Sequence, residues 1–141
     1  MLEERLGNMA RLHIYYNSPI GMDSLFKPYL KVKIDDEITF QIDKYKEAVI
    51  DLDNGTHSIK MYIPYMMDAA GFVSETLDIQ DEDSFYYYKG PAISFGKGKL
   101  IKVSSSSEFP KIKLKSKIKF LLSCVLTIII LLLFTILIGY L

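Results

Sequence analysis

"YLKVKIDDEITFQID", residues 29–43, decides the fold class. Leu30, Val32 and Ile34 alternate with Lys31, Lys33 and Asp35, the two-residue period of a half-buried strand with a charged outer face. Ile38, Phe40 and Ile42 repeat the period and are expected to point inward. Asp35-Asp36 between them is read as a tight turn, because a short Asp side chain bonds locally and tolerates left-handed backbone. A helix would need apolar residues three and four apart. No segment before residue 104 sustains that spacing.

The pattern extends in both directions. "RLHIYYN" (11–17) places Leu12, Ile14 and Tyr16 on one side. "EAVIDLD" (47–53) and "THSIKMYI" (56–63) flank Asn54-Gly55, a dipeptide whose tolerance of positive φ predicts a hairpin. "FVSETLDI" (72–79) alternates Phe72, Ser74, Thr76 and Asp78 with Val73, Glu75, Leu77 and Ile79. "SFYYYKG" (84–90) follows an acidic turn. "GKGKL" (96–100) reads as a hairpin turn leading into "KLIKV" (99–103). Short strands spaced about ten residues apart predict an all-β domain over 10–103. The expected fold is a small antiparallel β-sandwich, Ig/transthyretin-like, followed by one transmembrane α-helix.

That helix is read from residues 120–141. The stretch carries no charge, and its only polar side chains are Ser123, Cys124, Thr127, Thr135 and Tyr140. Twenty-two helical residues span about 33 Å, against about 30 Å of hydrocarbon in a bilayer. A helix packed on a soluble core would show a polar face.

"KIKLKSKIK" (111–119) would, in isolation, be a strand with one charged face. Beside an apolar span, Lys111, Lys113, Lys115, Lys117 and Lys119 are read instead as membrane-interface residues. Lysines there snorkel to anionic headgroups, worth about 1 kcal/mol each, and favour the cytoplasmic side. "SSSSEFP" (104–110), Ser-rich and ending in Pro110, reads as a flexible spacer. The expected layout has a disordered tail or mis-assigned start at 1–9, with Met9 the alternative first residue. The sandwich occupies 10–103, a Ser-rich spacer and Lys-rich juxtamembrane segment 104–119, and the membrane helix 120–141. That is a tail-anchored architecture with the N-terminal domain cytoplasmic.

The formal charge of zero is a cancellation of unlike parts. Residues 1–110 carry 12 Lys+Arg against 17 Asp+Glu, and the five lysines of 111–119 restore the balance. An acidic domain argues against nucleic acid as a partner. The single cysteine, Cys124, lies inside the apolar run, so no disulfide framework supports the domain. "MLEERLGNMA" lacks the basic start and apolar stretch of a secretory signal.

The run "VKIDDEITFQIDKYKEAVIDLDNGTHSIKM" (32–61), with its step Leu52, Gly55, His57 and Ile59, resembles the PEGA-type β-sandwich domain. "SFYYYKG" is similar to the aromatic strand of that group. The resemblance covers roughly 30–90. It departs in having Asn54-Gly55 where Pro-Gly is common, and in the long apolar "PYMMDAAG" (64–71). It implies a small non-enzymatic binding or display module, of bacterial type.

Chemistry-bearing motifs are sparse. Counting a calcium loop from Asp51 puts Thr56 at position six and Tyr62 at position twelve, where glycine and glutamate are needed. Gly-x-Ser-x-Gly and the phosphate loop are missing. No catalytic residue, metal or cofactor is assigned. His57 is read as a sandwich-edge residue bonding a backbone carbonyl. "MYIPYMMDAAGF" (61–72) is read as a loop whose Tyr62, Tyr65, Met66 and Met67 suit a partner-binding surface, the alternative being a continued core strand. Ser123, Cys124, Thr127, Thr135 and Gly139 fall within one helical sector and suggest homo-oligomerisation. The expected partners are membrane lipid and a protein. The expected function is non-catalytic binding at the membrane surface. The alternative is a membrane-acting effector or immunity protein whose helix oligomerises or blocks a pore.

Overall fold

A computed structural model of the chain describes residues 9–17, 29–65, 68–80, 82–91 and 96–139. Among these the chain is mostly β, with eight strands and one long helix. The strands are β1 (Met9–Asn17), β2 (Tyr29–Ile34), β3 (Ile38–Asp43), β4 (Glu47–Asp53), β5 (Gly55–Tyr65), β6 (Asp68–Ile79), β7 (Ser84–Lys89) and β8 (Lys99–Val103). The helix, α1, runs from Phe109 to Gly139.

The deciding stretch is a hairpin. β2 and β3 pair antiparallel from Tyr29↔Asp43 to Ile34↔Ile38. Asp35 and Asp36 both adopt left-handed backbone, φ +52° and +59°, and the Glu37 N–H donates to the Ile34 carbonyl at 3.1 Å. Two successive positive φ values give a turn whose twist matches that of the strands it joins.

The strands form two four-stranded sheets, ordered β4-β1-β7-β8 and β3-β2-β5-β6. One hydrophobic core receives residues from both. Leu12, Ile14 and Tyr16 of β1, and Leu30, Val32 and Ile34 of β2, are fully buried, as their alternation predicts. Ile59, Met61 and Ile63 of β5 and Val73, Leu77 and Ile79 of β6 join them.

Four expectations are corrected. The first sheet is not wholly antiparallel: β1 and β7 run parallel, from Leu12↔Ser84 to Asn17↔Lys89. Asn54-Gly55 is not a hairpin turn. β4 pairs with β1 in one sheet and β5 with β2 and β6 in the other, so the dipeptide is a corner between sheets. Gly55, at φ +148°, supplies the backbone freedom the corner needs. Ile38 does not point into the core and is 43% exposed. It lies at the hairpin tip of an edge strand, and burial fades along β3 from Ile42 through half-buried Phe40 to Ile38. Residues 104–110 are not a flexible spacer. Ser106–Glu108 form a 3-10 turn, and α1 begins at Phe109. Pro110 lies in the first helical turn, where its missing N–H would have had no partner.

The two sheets are bolted near one edge of each. Met61 pairs with Val73 but Ile63 with Ala70, so Gly71 and Phe72 together oppose Tyr62 in a β-bulge. Gly71 takes the left-handed conformation, φ +65°. Its carbonyl accepts the buried Tyr88 hydroxyl at 2.5 Å, and its N–H donates to the Gly96 carbonyl at 3.2 Å. Gly98 closes the corner: a methyl group added there would meet the Gly71 carbonyl and the Tyr88 ring at 2.5–2.6 Å. Burial pushes the Tyr88 phenol well above its ordinary pKa.

This corner is directly testable. Gly98→Ala should lower stability by about 1–3 kcal/mol through overpacking. Tyr88→Phe should cost about 1–3 kcal/mol by stranding a buried carbonyl. Urea unfolding of the detergent-solubilised chain, followed by strand circular dichroism, measures both. An unshifted midpoint for Gly98→Ala would show that the corner has room to relax.

Candidate functional site

The place where the β-domain meets α1 gathers the most unusual chemistry of the molecule. Phe109 is 97% buried, its ring stacked on Tyr15 of β1 with centroids 4.8 Å apart and planes 10° from parallel. Such a pair contributes about 0.5–1.5 kcal/mol beyond the area it buries. Glu108 accepts the Ser104 N–H at 2.9 Å, tying the end of β8 to the first turn. Ile112, Lys113 and Ser116 are half-buried, and with Phe109 they follow the i, i+3, i+4, i+7 spacing of one helix face.

The β3–β4 turn meets that face. Tyr45 sits at φ +58°, uncommon for an aromatic residue, and its N–H donates to the Tyr16 carbonyl at 2.9 Å. The Lys46 carbonyl accepts from the Tyr16 N–H at 3.0 Å, so the turn is sewn to β1 on both sides of Tyr45. Lys44 and Lys113 place their ammonium groups 4.8 and 5.0 Å from the Tyr45 ring centroid, one from the turn and one from the helix. Cation–π contacts of this kind are worth about 0.5–2 kcal/mol. A cleft of about 440 Å³ opens beside them, bordered by Tyr15, Glu47, Ser107 and Pro110.

The electrostatics follow from this crowding. Burial, and secondarily the like charge of Lys117, pull the Lys44 pKa below its ordinary value. Burial, then the neighbouring Tyr45, push the Tyr15 phenol up to about 12. Burial raises Tyr45 as well. Both phenols are therefore neutral at physiological pH.

The five predicted interface lysines are all helical, and the helix divides them. At about 100° per residue, Lys113 and Lys117 lie 40° apart. Lys111, Lys115 and Lys119 fall about 160–240° round from Lys113, away from the domain. Strand alternation would have put all five on one side.

Tyr62 is on β5, not in a loop. It is half-buried, facing outward opposite Lys31, whose ammonium is 5.9 Å from its ring. The backbone of Tyr65 closes the β5–β6 pairing opposite Asp68. Met66, Met67 and the Tyr65 side chain lie outside the described residues. The supposed loop is therefore largely the end of the β5–β6 hairpin.

His57 does bond a backbone carbonyl: its Nε2 donates to Asp53 O at 2.8 Å. Its Nδ1 donates to the Asp35 carboxylate at 2.7 Å, and Asp35 also accepts the Ser58 N–H at 2.8 Å. With an acceptor at each ring nitrogen, the doubly protonated ring is favoured. The Asp35 hydrogen bond accordingly raises the His57 pKa, and the His57 hydrogen bond lowers that of Asp35. His13 stacks on Phe85 at 4.4 Å and donates through Nδ1 to Glu47 at 2.6 Å. Arg11 pairs with Asp83 at 3.0 Å nearby. Among the described residues no three His, Cys, Asp or Glu side chains are grouped to hold a metal. A second cleft of about 740 Å³, between the β6 and β8 edges, is open and polar.

Tyr15, Lys44, Tyr45 and Phe109 escape a reading of the sequence. Lys44-Tyr45-Lys46 looks like any solvated turn, and Phe109 like a stray aromatic in a spacer. Only the helix start brings them together. No protein-family model, curated protein or solved structure matches this chain.

Two outcomes are expected here. Phe109→Ala should loosen the mount: with Cys124 replaced by Ser, the distance distribution between spin labels at Val49 and Leu114 should broaden markedly. An unchanged width would mean the stack does not hold the helix. The His57–Asp35 clamp should make stability pH-dependent. A raised His57 pKa contributes fully below the ordinary 6.5 and is lost as pH rises through the folded value. The depressed Asp35 pKa contributes above the ordinary 3.8 and is lost as pH falls through its folded value. Wild type should thus exceed His57→Gln most near about pH 5, the difference shrinking by about pH 9 in urea titrations.

Proposed function

We propose that this chain is a non-catalytic, bacterial-type membrane protein whose β-domain binds a protein or ligand at the cytoplasmic membrane surface. The observation that carries the reading is the exposure of α1. It is long and apolar enough to cross a membrane, its best 18-residue window has a mean hydropathy of 3.1, and none of that window is buried by the rest of the chain. Twenty residues from Phe120 to Gly139 would extend about 30 Å, the thickness of the hydrocarbon layer.

The lysines at the N-terminal end of the span support a cytoplasmic domain, since positively charged flanks stay on that side. The acidic balance of residues 1–110 supports a protein or small-molecule partner over nucleic acid. On this reading the two sheets form an Ig/transthyretin-like sandwich of PEGA type. The far end of the β5–β6 hairpin, with Tyr62, Tyr65, Met66 and Met67, is its partner-binding surface.

The anchor is tested by alkaline carbonate extraction of cell membranes, in which the full chain should stay in the pellet. Protease added to intact cells should spare the domain and cleave it after permeabilisation. Replacing residues 120–141 with an unrelated single-span helix should preserve partner capture. Loss of function in that swap would favour the effector reading, in which the helix itself acts.

A further inference from the structure

One lysine of the β3–β4 turn and two of α1 converge where the helix leaves the β-domain. Lys44 and Lys113 approach the same tyrosine ring from opposite elements. Lys117 lies one helical turn below Lys113, close enough for its charge to be felt at Lys44. Among the described residues, neither Lys113 nor Lys117 has a carboxylate partner, while Asp43 pairs with Lys46 at 3.0 Å and Glu47 with His13 at 2.6 Å. Lys113 and Lys117 thus carry unmatched like charge one helical turn apart, a repulsion that a bound anion would relieve. Tyr45 adds to this picture. It holds a left-handed backbone that suits glycine better, and its ring is the one both ammonium groups approach.

The depth of the cluster identifies the anion. Lys117 and Lys113 are three and seven residues before Phe120, about 4.5 and 10 Å above the apolar span at ~1.5 Å per residue. The headgroup layer of a leaflet is about 5–8 Å deep. Flexible lysine side chains several ångströms long can carry their charges into it. If α1 spans a bilayer from Phe120, the β3–β4 turn, which contacts the helix at Lys113, sits just outside the headgroup layer, within a lysine side chain's reach of it.

We propose that Lys44, Lys113 and Lys117, with the ring of Tyr45, form a binding site for the phosphate of one anionic phospholipid. The bound headgroup bridges the β-domain and the helix. The site rests on the membrane-anchored reading above. It differs from a diffuse lysine collar in using only Lys113, on the helix face toward the domain, and Lys117, 40° round from it, together with one lysine from the domain itself.

The test compares two variants that remove equal charge. Wild type, K44Q/K113Q/K117Q and K111Q/K115Q/K119Q are purified as full chains in mixed micelles of phosphatidylcholine and phosphatidylglycerol. Retained lipids are weighed by native mass spectrometry. Wild type should keep one phosphatidylglycerol in about tenfold preference to phosphatidylcholine. The first variant should lose that preference, and the second should keep it within about twofold. Equal loss in both overturns the site in favour of a collar, as does a wild type with no preference. Displacement of the lipid by millimolar inorganic phosphate overturns the lipid as the ligand. Tyr45→Gly, which relieves the backbone and so should fold, should weaken retention several-fold, and full retention overturns the part given to the ring. Carbonate extraction separates the two levels. A wild type that pellets with membranes but shows no lipid preference defeats this site alone, whereas one found in the supernatant defeats the anchor itself.

Discussion

The stack of Phe109 on Tyr15 sets where α1 begins, and through that the direction of every side chain after it. A helix turns about 100° per residue, so docking one residue against the domain determines the phase of the rest. Ile112, Lys113 and Ser116 are thereby turned toward the β-strands, and Lys111, Lys115 and Lys119 toward the opposite side. Were residues 104–119 a loose tether, the lysines would be a cloud of charge with no fixed relation to the domain. With the helix seated, the domain takes one orientation on α1, and the β3–β4 turn is brought against the helix at Lys113. The helix macrodipole works against lysines in a first turn, by a few tenths of a kcal/mol each. The aromatic contact is the larger effect and prevails.

The β-domain above it relies on burial from both sheets and on polar ties where that burial runs out. The core is continuous from Ala10 to Tyr88, with no disulfide to assist it. At one place, Tyr88 reaches across to the bulge carbonyl of Gly71. At another, His57 and Asp35 join the β2–β3 turn to the corner that follows β4. Net hydrogen-bond energies are modest, but leaving such groups unmatched would cost more. The ties therefore select this register and this pair of corners over alternatives that bury similar apolar area.

Much of this was legible beforehand, for a definite reason. Alternation reports which side of a strand is buried, and Leu30, Val32 and Ile34 obey it regardless of what they pack against. It fails where the strand outruns its cover, as at Ile38. Asn54-Gly55 misled because its backbone tolerance is equally useful in a hairpin and in a corner between sheets. Pro110 misled because a proline marks a helix start as readily as a helix stop. In both cases local chemistry permits two structures, and contacts distant in sequence choose between them.

The candidate site lay beyond such reading altogether. Nothing within a few residues of Tyr45 distinguishes it from a solvated turn, and nothing near Phe109 reveals that it will be buried. By itself the amino-acid sequence determined the eight strands, most of their buried faces and the charge-free span, because each depends on composition and period over short windows. Strand partners, the parallel β1–β7 pairing, the phase of the lysine helix and the meeting of Lys44 with Lys113 were decided only in the tertiary structure. Those features depend on which surfaces exclude water together, and that is a property of segments tens of residues apart.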